Sequence, residues 1–168
     1  MRGQVRKSNA GNTNYCLHAV YTRSAVSLFE MDTLCLYLFV YGTLLKDYNE
    51  FAIFMRKHCS FRKKGKFKGT LYDTGEYPGA ISDCKSNNYV HGSIYLMDNA
   101  PLVLEKLDDY EGFGDDQEQP NLFIRRLVEI ETNARPVDCW VYLYNRDVEG
   151  LRLIASGNYL SEPGLNGF

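Results

Sequence analysis

An α+β domain, mostly antiparallel and built as a small, partly closed β-barrel with two helices, is what three observations predict. Five or six short segments carry strand patterns and are separated by turn residues, while two others repeat their apolar residues at helical spacing. Thirteen Tyr and nine Phe favour sheet over a helical bundle. A chain of 168 residues, 45% hydrophobic and 24% charged, is ordinarily one domain with room for a proper core.

The first strand is the run Leu34-Cys35-Leu36-Tyr37-Leu38-Phe39-Val40. Continuous apolarity marks a strand buried on both faces. It is far too short for a membrane helix, which needs about 20 apolar residues. The strand stops at Tyr41-Gly42-Thr43-Leu44. Gly42 is expected to turn the chain at positive φ, with its amides exposed.

In "DYNEFAIFMRKH", Phe51, Phe54 and Met55 fall at helical spacing, with Asn49 as a cap. "GKFKGTLYDTG" reads as a strand bounded by glycines, "EYPGAI" as a turn into an edge strand, and "NYVHGSIYLMD" as a further strand. Asp98 is the expected N-cap of "NAPLVLEKLDDYEGF", with Pro101 in the first turn and Gly112 and Gly114 ending the helix. "LFIRRLVEIE" alternates, with Ile124, Arg126, Val128 and Ile130 on one face and Phe123, Arg125, Leu127 and Glu129 on the other. "VDCWVYLYN" is its hairpin partner across "TNARP".

Residues 1 to 29 differ from the rest. They carry Arg2, Arg6, Lys7 and Arg23 without any Asp or Glu, and are rich in Ser, Thr and Asn. The composition admits a transit peptide; the reading preferred is a weakly ordered extension over 1–33, or upstream sequence ahead of a start at Met31. Residues 34–161 are the expected domain and 162–168 a tail. With no secretory h-region and an odd five cysteines lacking any CxxC pair, the expectation is a reduced, cytoplasmic protein, with organelle targeting through the extension as the alternative. A net charge of −2 argues against bulk electrostatic binding of nucleic acid, and no membrane partner is indicated.

The most informative anomaly lies on the second helix. At about 100° per residue, Val103, Leu104, Leu107 and Tyr110 form one apolar arc, and Glu111 projects between Leu104 and Leu107. Asp108 lies at the arc's edge and Asp109 points away. A carboxylate at a helix C-terminus meets the unfavourable end of the dipole, and burial disfavours its charge as well. Both effects move its pKa towards neutrality, as a group that takes and returns protons requires. A frayed last turn, with Glu111 swung out to water, is the alternative.

Taken together, "VYGTL" after the first strand and "LDDYEGF" after a capped helix resemble the gamma-glutamylcyclotransferase-like family, and most of all its short gamma-glutamylamine cyclotransferase branch. "YPGAI" and "VHGSIYLMDNA" are similar to the family's middle strands. "VYLYNRDVEGLRLIASGNYL" is similar to the C-terminal segment of its small bacterial members. The likeness covers about residues 36 to 161. It implies a mixed barrel with a cavity at the end of the first strand. In that cavity Tyr41, Gly42, Thr43 and Leu44 hold the alpha-carboxylate and amine end of a gamma-glutamyl substrate, and Glu111 is the catalytic acid/base. The implied reaction releases 5-oxoproline and a free amine from a gamma-glutamyl amine or amino acid, without metal or organic cofactor. One departure stands out: the family commonly has Tyr-x-Arg where this chain has Phe123-Ile124-Arg125.

Three other readings compete. A cysteine enzyme would pair Cys84 or Cys59 with His91 or His58, but no spacing places a base beside a thiol. Calcium binding by "DDYEGFGDD" fails because a loop beginning at Asp109 puts Phe113 at the fifth position, where an oxygen ligand is required. A non-catalytic module of the same fold, binding gamma-glutamyl compounds or another small metabolite, is the remaining alternative.

Overall fold

A computed structural model describes residues 35–42, 44 and 50–162. The expected extension over 1–33, the tail beyond 162, Thr43 and the cap at Asn49 lie outside the described residues. The elements are β1 (Tyr37–Val40), α1 (Glu50–His58), β2 (Cys59–Asp73), β3 (Pro78–Ser82), β4 (Tyr89–Met97), α2 (Ala100–Glu111), β5 (Phe123–Ile130), β6 (Val137–Tyr144) and β7 (Arg152–Leu153), followed by a 3-10 turn over Tyr159–Ser161.

The strands form one curled sheet in the order β3-β2-β4-β1-β6-β5, with β7 added on β2. All pairings are antiparallel except β1 with β6, which run parallel with Leu38 opposite Trp140. The curl brings the end of β5 back to β2. There Lys66 N–H donates to Glu131 O at 3.0 Å and Glu131 N–H donates to Lys66 O at 2.8 Å. The result is the partly closed, mostly antiparallel barrel that the strand pattern predicts, mixed as the family resemblance implies, and flanked by α1 and α2.

Alternation in the strands sorts side chains into two cores. Phe39, Phe67, Val90, Ile94, Val128, Ile130 and Val141 fill one. Leu38, Met55, Met97, Val103, Leu104, Leu107, Trp140 and Tyr142 fill the other, between the sheet and the helices. Leu38 and Phe39 face opposite cores, so β1 is covered on both faces at its centre, whereas Tyr37 and the preceding Leu36 are exposed, contrary to the expectation of a run buried throughout. β5 follows its expected alternation, with Ile124, Val128 and Ile130 on one core and Phe123 and Leu127 on the other.

Three expectations are corrected. β2 begins at Cys59 rather than Gly65: the run Ser60–Lys64 pairs with β4 through a register shift between Phe61 and Lys63, so its charged side chains belong to a bulged strand and not to a loop. The N-cap of α2 is Asn99, whose side chain accepts from Leu102 N–H at 3.3 Å. Asp98 is engaged elsewhere, accepting from His58 Nδ1 at 3.0 Å. Tyr110 leaves the apolar arc and is 49% exposed, its ring stacked on Phe51 of α1 at 3.9 Å.

The C-terminal segment is tied down by His91 N–H donating to Gly157 O and Ile154 N–H donating to Leu71 O, both at 2.8 Å. Gly157 has φ +61°, and a Cβ there would lie 1.8 Å from Tyr89 O. Gly157→Ala is therefore expected to cost about 2–3 kcal/mol or more, read as a melting temperature lower by roughly 5–10 °C.

Candidate active site

β1 ends at the mouth of a cavity of about 240 Å³. Its lining includes Leu38, Val40, Tyr41, Gly42 and Leu44 from β1 and the loop after it, Tyr77 just before β3 and Pro78 at its start, Tyr110 and Glu111 from α2, Leu122 just before β5 and Phe123 at its start, and Tyr142 from β6. The fold thus brings Glu111 together with Tyr41, Gly42 and Leu44. Thr43 lies outside the described residues.

Glu111 is the last residue of α2, and Gly112 ends the helix in the left-handed conformation, its N–H donating to Asp108 O. The carboxyl is partly buried, and burial raises its pKa from 4.5 to about 7. Glu111 is the only charged residue among the described ones that line the cavity. A group half-ionised near neutrality accepts and returns a proton with little driving force lost in either direction.

The neighbouring hydroxyls stay protonated. Burial, and after it the charge of Glu111, pushes the Tyr41 hydroxyl well above its ordinary value. Burial also raises Tyr77, with smaller contributions from Tyr144, Glu76 and Glu111 and an opposing one from Arg146. The Tyr142 hydroxyl is raised by burial and then by Asp108. Tyr41 also serves the architecture, since its side chain is buried in the barrel core and its hydroxyl donates to Tyr142 O at 2.7 Å.

Gly42 does not have positive φ, contrary to the expectation for this turn. Its requirement for glycine has another origin, since a Cβ there would lie 2.9 Å from Cγ of Pro78. The loop and the start of β3 pack too closely for a side chain.

Asp108, at the edge of the arc, is only 7% exposed, and its partners come from other elements. Arg125 Nη1 donates to its two oxygens at 3.0 and 2.9 Å, and the Tyr142 hydroxyl donates to Oδ1 at 2.7 Å. Asp109 is exposed, as the helix phase requires. The cavity residues Tyr77, Pro78, Tyr110, Leu122 and Tyr142 carry no local motif that singles them out. Phe123, which stands where the family commonly has Tyr, does line the cavity, its ring 5.6 Å from that of Tyr77 and 5.8 Å from that of Tyr144.

The thiols offer no comparable centre among the described residues. Burial pushes Cys59 up to about 12, and its neighbour His58 is held by Asp98. Among the described residues no three His, Cys, Asp or Glu side chains are grouped to hold a metal ion, and no helix is long and apolar enough to cross a membrane.

The strand-end cavity with one partly buried carboxyl at a helix terminus is the candidate site for a small molecule. The profile of the family described as Gamma-glutamyl cyclotransferase, AIG2-like, matches residues 38–161, and the chain belongs to that family. The Gamma-glutamylcyclotransferase family protein ytfP of Citrobacter rodentium is 39% identical over 90 residues, which are 54% of this chain and 66% of that protein, just under two thirds of its length. The solution structure of protein ytfP from Escherichia coli superimposes with a TM-score of 0.55 at 30% identity, covering 74% of this chain and 96% of that one. A crystal structure of an AIG2-like protein from mouse gives a TM-score of 0.55 at 26% identity, covering 72% of this chain and 86% of that one.

Proposed function

We propose that the protein is a gamma-glutamyl cyclotransferase that converts a gamma-glutamyl amine or amino acid into 5-oxoproline and a free amine, with Glu111 as the general acid/base. The observation that carries this reading is a single one: a carboxyl raised to about 7 by burial, in one cavity with the loop that ends β1.

In this mechanism the loop at Tyr41–Leu44 receives the alpha-carboxylate end of the substrate through backbone amides. The Glu111 carboxylate removes a proton from the alpha-ammonium, and the freed amine attacks the gamma-carbonyl of the same molecule. The tetrahedral intermediate collapses as the ring nitrogen sheds a second proton and the bond to the leaving nitrogen breaks. Both protons end on the departing amine, and Glu111 is returned to its carboxylate form. Attack within one molecule, held in the right geometry, is worth roughly 7–11 kcal/mol. The protein's work is then folding the substrate and moving protons, chemistry that calls for no cofactor. Such a role fits a cytoplasmic enzyme acting on small molecules.

The test is a screen of gamma-glutamyl amines and gamma-glutamyl amino acids for 5-oxoproline release, followed by a pH profile on the best substrate. Since the active form is the ionised carboxyl, kcat/KM is expected to rise about tenfold per pH unit below neutrality and to level off above about 7. Binding of gamma-glutamyl ligands without any 5-oxoproline would make the protein a binding module and overturn the reading.

A further inference from the structure

Asp108, Arg125 and Tyr142 make a polar cluster that adjoins the cavity through Tyr142. The Arg125 side chain reaches Asp108 from β5, and its guanidinium carbon sits 5.1 Å from the Trp140 ring and 5.7 Å from the Phe113 ring. Tyr142, which lines the cavity with its ring, turns its hydroxyl to Asp108. A buried ion pair of this kind is a weak device for stability, because apolar residues of similar volume commonly do as well or better. Its position suggests another use. Asp108 and Glu111 are three residues apart on α2 and therefore neighbours on the helix surface. Two carboxyls lie within one helical turn, and one partly buried cation comes in from β5.

We infer that Asp108 is a positioning residue: it captures the charge of Arg125 and the hydroxyl of Tyr142, so that Glu111 faces the cavity without a cationic partner among the described residues. The groups around Glu111 support this. Tyr41 beyond β1, Tyr77 before β3 and Tyr142 on β6 are neutral at neutral pH because each hydroxyl is raised above its ordinary value. Among the described residues the remaining charges are Glu76 and Arg146, which act on Tyr77 with opposite signs, and Asp108 on the same helix with Arg125 on β5, which are paired. Burial alone accounts for the raised Glu111 carboxyl. Were Arg125 free to act on it, that carboxyl would fall towards the ordinary carboxylate range and lose its capacity to return a proton near neutrality.

This inference rests on Glu111 being the acid/base, and its test separates the two. The ionisation of Glu111 is followed by carbon-13 NMR of labelled glutamate carboxyls, with the resonance assigned by its loss in Glu111→Gln, and in parallel by the pH dependence of 5-oxoproline release. Asp108→Asn leaves Arg125 uncompensated and is expected to lower the midpoint by about one to three pH units. Arg125→Gln leaves Asp108 uncompensated and is expected to raise it. The double variant is expected to return near the wild-type midpoint. A purely structural cluster would lower activity or stability without moving the midpoint in opposite directions. Unchanged midpoints, or shifts of the opposite sign, overturn the inference, and either single variant decides it alone. Should neither single variant fold, the double variant decides: a midpoint near wild type supports cancellation, and a displaced one overturns it. Opposed NMR shifts in a protein that releases no 5-oxoproline would uphold the charge balance and sink the proposed reaction instead.

Discussion

Glu111→Gln is expected to lower 5-oxoproline release by about 10²–10⁴-fold while leaving the binding of a gamma-glutamyl ligand close to wild type. The amide keeps the shape of the side chain but cannot take the proton from the substrate ammonium. The same substitution should stabilise the protein at alkaline pH. The folded-state pKa of Glu111 is raised from 4.5 to about 7, so the fold favours the protonated form. The favourable contribution is complete below pH 4.5 and is lost as pH rises through about 7. Above that, holding the charge costs roughly 2–3 kcal/mol, a penalty the neutral amide escapes. Thermal melts at pH 8 should show Glu111→Gln more stable than wild type, and melts near pH 4 should show no difference. Asp109→Asn, at an exposed position on the same helix, is the control and should alter neither rate nor stability. If Asp109→Asn abolished turnover and Glu111→Gln spared it, the assignment of the acid/base would be wrong.

Gly42→Val carries the second large effect. A Cβ at position 42 would meet the Pro78 ring at 2.9 Å, and Pro78 is pinned to β2 opposite Asp73. The ring has no flexible end to swing aside, so the loop must move away from it. Overpacking of this kind costs about 1–3 kcal/mol. Because the loop lines the cavity, much of that cost should fall on ligand binding, as a loss of roughly 5–150-fold in affinity by calorimetry. Far-ultraviolet circular dichroism should remain that of the folded barrel. Unchanged affinity would remove this loop from the binding site.

The parts of the architecture legible in sequence were those written in local patterns. The period of α2, its flanking cap residues and the terminating Gly112 suffice to place Glu111 at the helix end and Asp109 in solvent. Alternation likewise assigns the faces of β5. What escaped depends on partners distant in sequence. Asp98 and Asn99 are equally good caps by type, and the choice follows from His58, 40 residues earlier, engaging Asp98. Helix phase puts Asp108 at the arc's edge but cannot name its partners, Arg125 and Tyr142, which arrive from other strands. Gly42 shows the same limit: a turn glycine suggests a backbone angle, whereas the actual constraint is a proline ring on β3. The charged stretch before Gly65 resembles a loop because its apolar faces are interrupted by Arg62, Lys63 and Lys64, and only pairing with β4 makes it strand.

The parallel pairing of β1 with β6 has a kinetic consequence. Leu38 and Trp140 are register partners, and the Tyr41 hydroxyl bonds to a carbonyl 101 residues away. One wall of the cavity comes from the beginning of the described chain and another from near its end. Closing a loop of that size is entropically costly, and contacts of such sequence separation form slowly. A chain in which only the local hairpin β5–β6 and helix α2 had formed would possess Glu111 and no cavity around it. In refolding from denaturant, gamma-glutamyl binding should therefore return only with the slowest phase that restores Trp140 fluorescence, and never ahead of it. Occupancy of the site would then report completion of the long-range topology rather than the gain of secondary structure.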